Sequence, residues 1–243
     1  MVNLYAFTCG WITMPLRSFI ADEAKTPFRV PVPAYLIEHE KGLAVFDTGL
    51  GVPAAAALNA MKGVEAEFDA LADVGARLAA AGFDPAAVKW IINSHLHSDH
   101  SGGNAALPNA TVVIQALELE AAQAGGEAYE RAVLDAGHPV LRLQGEHDLF
   151  GDASVMIFPT PGHTPGHQSA RIRLAGGPVV LTGDCCYMRR TMDDLALPRI
   201  TADPETHLRS IKALRAMRDS GDRIFFGHDP AQWATISQGT KLT

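Results

Sequence analysis

The sequence predicts one α/β domain in which two β-sheets stack face to face and helices cover their outer faces. Two observations support this fold class. Short β-branched and apolar runs fall into two groups along the 243 residues, and segments with apolar residues at helical spacing follow each group. No internal repeat, low-complexity tract or linker divides the chain. We therefore expect residues 1–243 to form a single domain.

The first group of strands lies near the N-terminus and is typical of a β-meander. Strands are predicted over 3–9, 34–38 and 43–46, and the Lys41-Gly42 turn separates the last two. The connection from 10 to 33 is predicted to be a long irregular segment rich in apolar side chains. Loops of this kind in compact domains often carry function, so the segment is a candidate wall of a binding site.

Helices and strands alternate over the rest of the chain. A helix is predicted over 68–81, because apolar residues recur there at helical spacing and Gly82 suits a left-handed C-cap. Further helices are predicted over 117–124, 127–136 and 204–218. Further strands are predicted over 88–94, 111–115, 154–158, 168–174, 179–182 and 223–226.

The composition argues against several classes of protein. Lys and Arg number 20 against 27 Asp and Glu, a net charge of −7 without any basic run, so we expect no nucleic-acid partner. The three cysteines lack CxxC spacing, which indicates reduced thiols. No signal-peptide pattern and no uninterrupted apolar stretch of about 18 residues occurs. We expect a cytoplasmic monomer or homodimer with no membrane partner.

Four metal-ligand side chains occur within the six residues from 95 to 100: His95, His97, Asp99 and His100. Imidazole nitrogens and carboxylate oxygens suit zinc and other divalent metals. Burying so many ionisable groups without a cation would be costly. The cluster directly follows the predicted strand 88–94, and ligands at a strand end are typical of α/β sites. One short loop is therefore predicted to supply ligands to two metal sites.

Three more strand ends carry metal-ligand side chains. His163, Asp184 and His228 each follow an apolar run and a glycine, which suits a tight loop at a sheet edge. Together with the first cluster they supply enough ligands for two metal ions. The expected cofactors are two divalent ions, with zinc first and manganese, iron or cobalt as alternatives, because histidine and aspartate accept each of them.

This pattern resembles the metallo-β-lactamase superfamily of binuclear metallohydrolases, whose signature is His-x-His-x-Asp-His followed by distant His, Asp and His. The resemblance spans Asp47 to His228 and implies an αβ/βα sandwich, which agrees with the strand pattern. It implies that one ion is bound by His95, His97 and His163, and the other by Asp99, His100 and His228. Asp184 is implied to bridge the two ions.

A closer resemblance is to the N-acyl-homoserine lactonase family, the quorum-quenching branch of this superfamily. Three stretches carry it: 32–36 (VPAYL) leading into 47–49 (DTG), the doubled Pro-Gly-His of 161–167, and 225–229 (FFGHD). The implied activity is a metal-dependent lactone hydrolase. A hydroxide that bridges the two ions would attack the lactone carbonyl and open the ring.

The lactonase resemblance also implies roles for individual residues. Tyr187, three residues after Asp184, would hydrogen-bond the lactone carbonyl. Asp99 would carry a proton to the leaving oxygen, and ligation alone is its alternative role. Asp47 would accept a hydrogen bond from a metal-bound histidine and fix its tautomer. His167 is interpreted as structural, because the family ligand is the first histidine of the doubled motif.

The apolar segment after the first strand is the candidate site for an acyl chain. Its predicted contacts are Trp11, Met14 and Phe19. Three alternatives stay open: a hydrolase of another lactone or ester, such as a pyridoxolactone-type ring; a mononuclear-iron persulfide dioxygenase; and a non-catalytic binding protein. The complete set of seven ligands argues against the last alternative.

Overall fold

The computed structural model describes residues 2–125, 129 and 137–242, and two β-sheets stack face to face within them. The first sheet contains β1 (Asn3–Pro15), β2 (Pro27–His39), β3 (Gly42–Phe46), β4 (Glu65–Glu67), β5 (Val88–Ile92), β6 (Thr111–Gln115), β7 (Val140–Leu143) and β13 (Lys241–Leu242). The second sheet contains β8 (His147–Asp148), β9 (Val155–Pro159), β10 (Gln168–Leu174), β11 (Gly177–Leu181) and β12 (Arg223–Phe225).

Both sheets mix parallel and antiparallel strands. The order in the first sheet is β13-β1-β2-β3-β5-β6-β7, with β4 paired to β1. Strands β1, β2 and β3 are antiparallel, which confirms the predicted meander, and β3, β5, β6 and β7 are parallel. The order in the second sheet is β12-β11-β10-β9-β8, and only β11 and β12 are parallel there.

The helices within residues 2–125 and 137–242 are short, with one exception. The α-helices are α1 (Val52–Asn59), α2 (Val74–Ala80), α3 (Ser98–Ser101), α4 (Ala116–Ala124), α5 (Arg189–Asp193), α6 (Pro204–Asp219) and α7 (Pro230–Trp233). Single 3₁₀ turns cover Leu16–Ser18, Pro85–Ala87, Asn104–Ala106 and Gly183–Cys185. In the described part of the chain, no helix has the length and apolar character that a membrane span requires.

The cores account for the layered arrangement. Between the sheets, buried side chains of both interdigitate, among them Phe46, Ile92, Ile157 and Ile172. The outer face of the first sheet is covered by α2 and α4, and that of the second by α6. The predicted stacking of two sheets with helices outside is confirmed.

The segment from 10 to 33 is not an irregular loop. Instead, β1 and β2 form a long hairpin whose pairing runs from Asn3 opposite Glu38 to Pro15 opposite Pro27. A β-bulge interrupts the register between Thr8 and Trp11, and Gly10 within it has a φ of +128°. The bulge lets one continuous hairpin pass a glycine that otherwise signals a strand end.

Other element boundaries differ less from the predictions. The helix predicted over 68–81 begins only at Val74, because the Asp73 carboxylate caps it by accepting the backbone N–H groups of Gly75 and Ala76. The sequence pattern predicts neither the helices α1, α3, α5 and α7 nor the strands β4, β7, β8 and β13. The helix predicted over 127–136 falls almost entirely on residues outside those that the structure describes.

Candidate metal centre

The seven predicted ligands meet at one edge of the sandwich. Four of them lie on the loop after β5 and on α3, and the others follow β9, β11 and β12. They form two groups, the first with His95, His97, His163 and Asp184, and the second with Asp99, His100 and His228. Within each group, one ligand atom per residue lies within 4.8 Å of every other. We call these the first group and the second group.

The carboxylate of Asp184 lies between the two groups. Its Oδ2 atom is 3.3 Å from Nε2 of His163 and 3.7 Å from Nε2 of His95. Its Oδ1 atom is 3.1 Å from Nε2 of both His100 and His228. A carboxylate whose two oxygens face different ligand groups has the geometry of a bridge between two cations.

Backbone carbonyl groups hold two of the histidine rings from behind. The Nδ1–H group of His228 donates to the carbonyl of Pro31 at 2.7 Å. The Nδ1–H group of His163 donates to the carbonyl of Ile200 at 3.1 Å. Because these carbonyls accept only, each ring has a proton on Nδ1 and presents Nε2, the atom that would bind a metal ion, to the centre.

Asp47 holds a third ring. Its Oδ2 atom accepts from Nδ1 of His100 at 2.8 Å, and its Oδ1 atom accepts from the Ser94 backbone N–H at 2.7 Å. The Ser94 hydroxyl also donates to Asp47 at 2.8 Å, so Oγ accepts from Nδ1 of His95 at 3.0 Å. Asp47 thus contacts the ring of His100, a predicted ligand, on the side away from the centre. Its φ of +51° lies in the left-handed region, which aspartate tolerates better than most residues.

The donor set fits bound cations. Nε2 of His95 is buried and has no hydrogen-bond partner among the described residues, which costs about 1–3 kcal/mol unless the atom binds something. His97 presents Nδ1 instead of Nε2, and this atom lies 3.2 Å from Nε2 of His163. Inward lone pairs on buried imidazoles, with carboxylates between them, are what divalent metals such as zinc require. The site is a histidine and aspartate metal-binding site.

Burial and neighbouring charge set the ionisation of these groups. Burial lowers the pKa of His95 and of His163 well below the usual range, so both rings are neutral, the form that binds metal. Burial acts the same way on His100, but Asp184 and then Asp99 outweigh it and raise the pKa of that ring. Burial alone would raise the pKa of Asp184, yet His100 and His228 hold it well below its usual range. Asp184 is therefore ionised.

Tyr187 lies against the ligands. Its ring stacks on His228 with centroids 5.4 Å apart and meets His163 edge-on at 5.6 Å. Its hydroxyl is hydrogen-bonded to Asp184, and burial followed by the charge of Asp184 raises the pKa of the phenol well above its usual value. The group is therefore a protonated donor directed at the centre.

Asp99 is the most accessible of the seven predicted ligands, with a side chain 20 % exposed against 3 % for Asp184. Its Oδ2 atom is 3.6 Å from Nε2 of His228 and 3.7 Å from Nε2 of His100. It therefore belongs to the second group and also faces the space in which a substrate would lie.

A cavity of about 230 Å³ opens onto the centre beside Asp99, Asp184, Tyr187 and His228. Most of its remaining lining is apolar and comes from the β1–β2 hairpin, from α1 and from the segment before α6. These apolar residues are Ile12, Met14, Phe19, Val30, Ala57, Leu58, Met61 and Ile200. Two of the three predicted acyl-chain contacts, Met14 and Phe19, are among them.

The third predicted contact, Trp11, does not line this cavity. Its ring lies under the guanidinium of Arg29 at 3.8 Å and packs towards the core between the sheets, away from the cavity. Successive side chains of a strand point to opposite faces, so Ile12 and Met14 line the cavity while Trp11 faces elsewhere. Because this segment is a hairpin and not a loop, only every second residue of its strands can line the cavity.

His167 supports the site without joining either group. Its Nε2 atom accepts the backbone N–H of Asp184 at 3.1 Å, and its Nδ1 atom lies 2.9 Å from the Thr160 hydroxyl. Burial lowers the pKa of His167 to about 3, so the ring is neutral and able to accept this bond. Gly183 makes the approach possible, because a Cβ there would lie 2.9 Å from Nε2 of His167.

Sequence reasoning missed Glu118 of α4. This carboxylate is fully buried and accepts the backbone N–H groups of Leu96 at 3.0 Å and of Gly166 at 3.1 Å. Burial raises its pKa, and the bonds that it accepts oppose that shift. In the sequence, Glu118 is recognisable only as an acidic residue among apolar ones in a predicted helix. An exposed glutamate gives the same pattern, so the sequence does not single out Glu118.

Comparison with known proteins agrees with this arrangement. The model of the metallo-beta-lactamase superfamily matches residues 27–228. An N-acyl homoserine lactonase of Azorhizobium caulinodans is 32% identical over 256 residues, covering 98% of this chain and 97% of the relative. An N-acyl homoserine lactonase of Bacillus thuringiensis subsp. kurstaki is 34% identical over 222 residues, covering 87% of each chain.

Solved structures show the same fold. An N-acyl homoserine lactone hydrolase with the product N-hexanoyl-L-homoserine bound at its catalytic metal centre superposes with a TM-score of 0.90 at 30% identity, covering 99% of this chain and 98% of that one. AidC, a dizinc quorum-quenching lactonase, superposes with a TM-score of 0.75 at 19% identity, covering 94% of this chain and 88% of that one. The second likeness concerns the fold alone.

Proposed function

Because the chain belongs to the metallo-beta-lactamase superfamily, and within it to the N-acyl homoserine lactonases, we propose that it opens the lactone ring of N-acyl homoserine lactones. The observation that carries this proposal is the apolar cavity that ends at two carboxylates, a phenol and a histidine. An acyl chain would lie along the apolar lining, and the polar lactone ring would reach the metal centre. The activity is then that of a quorum-quenching hydrolase.

The seven ligands would hold two divalent ions, one in each group, with Asp184 between them. Such ions lower the pKa of water towards about 7 and so supply a hydroxide nucleophile at neutral pH. The neutral rings of His95 and His163 are already in the form that binds a cation. Zinc is the metal we propose, because imidazole and carboxylate ligands suit it, and manganese, iron and cobalt are the alternatives.

Tyr187 is proposed to donate its phenolic hydrogen to the lactone carbonyl oxygen. Its hydroxyl lies beside Asp184 at the inner end of the cavity, and burial keeps it protonated. The carbonyl oxygen gains negative charge when the carbon is attacked, so a hydrogen bond to it is stronger in the transition state than in the substrate.

Asp99 is proposed to deliver the proton that the leaving group needs. Attack on the carbonyl carbon forms the new C–O bond, and the bond to the ring oxygen then breaks with its electron pair on that oxygen. Asp99 is the carboxylate most exposed to the cavity, so once the new C–O bond has formed it can take the proton of the added hydroxide and pass it to the ring oxygen. The product is a hydroxy acid with its carboxylate at the centre.

The test is a pH-stat assay on homoserine lactones of graded acyl length, with unacylated lactones and a pyridoxolactone-type ring as competing substrates. We expect the rate to be highest for acylated homoserine lactones and to vanish after metal depletion. Faster opening of the other rings would assign the same site to a different lactone. Oxygen consumption with one iron per chain would assign it to a persulfide dioxygenase, which the two ligand groups disfavour.

A further inference from the structure

One buried side chain joins the two loops that supply the histidines of the first group. The Oε1 atom of Glu118 accepts the backbone N–H of Leu96, which stands between His95 and His97. Its Oε2 atom accepts the backbone N–H of Gly166, on the loop that carries His163. Each oxygen thus holds a different ligand loop, and the rigid carboxylate sets the distance between them.

The surroundings of Glu118 make this contact specific. The side chain is fully buried, and no lysine or arginine forms an ion pair with it among the described residues. A buried carboxylate held only by hydrogen-bond donors depends on all of them. A Cβ at Gly166 would lie 2.1 Å from the backbone nitrogen of Glu118, so only glycine allows the loop to come this close to α4.

Tyr129 extends the contact to a metal ligand. Its hydroxyl is hydrogen-bonded to Glu118, and its ring packs on that of His97 with centroids 5.2 Å apart at 58°. The backbones of Tyr129 and His97 also form an isolated antiparallel bridge. His97 is therefore held through Leu96 on its chain and through Tyr129 on its ring, and both contacts lead to Glu118.

We propose that Glu118 is a positioning residue for the first group and controls the affinity of the ion bound there. The second group has a different support, because Asp47 holds His100 directly. Loss of Glu118 should therefore weaken one metal ion and spare the other. This proposal rests on the proposed pair of ions and is independent of the substrate.

The test compares Glu118→Gln with Glu120→Gln. The first change is nearly isosteric but replaces one accepting oxygen by an amide that donates, so one loop loses its partner. Glu120 lies two residues further along α4, is exposed, and provides the same change in charge. The affinities of both ions are measured by chelator competition, and cadmium-113 NMR of the cadmium-loaded protein reports each group as a separate resonance.

We expect Glu118→Gln to weaken one of the two ions by about 10–100-fold and to shift its resonance, with the other unchanged. Asp99→Asn changes a predicted ligand of the second group alone and should act on the opposite resonance, which assigns the two signals, and Glu120→Gln should match the parent. If Glu118→Gln does not fold, Glu118→Asp, which keeps the charge but reaches only one loop, takes its place.

Equal weakening of both ions would overturn the proposal. So would a lower Tm of the metal-free protein with both affinities intact, since that result would make Glu118 a residue of the fold alone. Because the readout is metal binding, failure of the parent protein to hydrolyse any lactone would reject the proposed function and leave this test valid.

Discussion

The metal centre and the β1–β2 hairpin beside it hold their side chains in different ways. In the centre, the nitrogens directed away from the ligand groups meet specific acceptors, as His228 does at Pro31 and His100 at Asp47. In the hairpin, Ile12 and Met14 meet the cavity through apolar packing alone. Directional bonds fix a geometry, whereas apolar packing adapts to different shapes. Changes in the centre should therefore affect every substrate, and changes in the hairpin should alter the preference among substrates.

The largest effect is expected for Asp184→Asn. The two oxygens of Asp184 face different ligand groups, and an amide removes the negative charge that both share. Metal ions provide several kcal/mol of transition-state stabilisation, so we expect kcat to fall by about 10³-fold or more for short and long acyl chains alike. Steady-state kinetics with metal analysis measures this. A loss confined to long chains would break the division between centre and hairpin.

The second-largest effect is expected for Tyr187→Phe. Its kcat should be lower by about 10²–10³-fold, which corresponds to about 2.7–4 kcal/mol, because one donor to the developing oxyanion is removed. Metal content should not change, because the phenol is not a proposed ligand. Tyr35→Phe is the matched control, since Tyr35 is also buried but its hydroxyl has no hydrogen-bond partner within the part of the chain that the structure describes. If Tyr187→Phe retains full kcat, the Tyr187 hydroxyl has no role in the reaction.

Asp47→Asn should have an intermediate effect. The amide nitrogen of asparagine would face N–H and O–H donors from Ser94 and His100, so the ring of His100 loses its support. Affinity for one metal ion should fall by about 10–100-fold. Excess metal should then restore much of the activity, which titration of the rate with added zinc would reveal. If no metal concentration restores the activity, Asp47 does not act by supporting metal binding.

The smallest effect is expected in the hairpin. Met14→Ala removes apolar contact from the cavity, so kcat/KM for long-chain lactones should fall by about tenfold while that for short-chain lactones stays the same. Trp11→Ala is the control on the same strand, because that ring faces away from the cavity. The ratio of long-chain to short-chain kcat/KM measures both variants. A change in this ratio for Trp11→Ala alone would reverse the assignment of the two strand faces.

The chemistry of the centre could be predicted from the sequence because its signals are local. Four ligands lie within six residues, and His163, Asp184 and His228 each follow a strand and a glycine. The strand ends bring them together once two sheets stack, so the fold class and the proximity of the ligands follow from the same pattern. Asp47 was found through resemblance, and the structure places it against His100.

The hairpin and Glu118 could not be predicted in the same way. Gly10 and the prolines of β2 are signals of a strand end, and the bulge that accommodates Gly10 shifts the register. A shift of one residue reverses which side chains face the cavity, so Trp11 and Met14 could not be separated from sequence. The partners of Glu118 are backbone N–H groups on two distant loops, and no residue type marks them.

The most direct measurement is the number of metal ions per chain, followed while ions are removed and returned, with the rate of acyl-homoserine lactone opening recorded on the same samples. We predict two ions per chain in the active protein and a rate that falls and recovers together with them. Full activity in protein without metal, or two bound ions with no opening of any lactone, would contradict the proposed function.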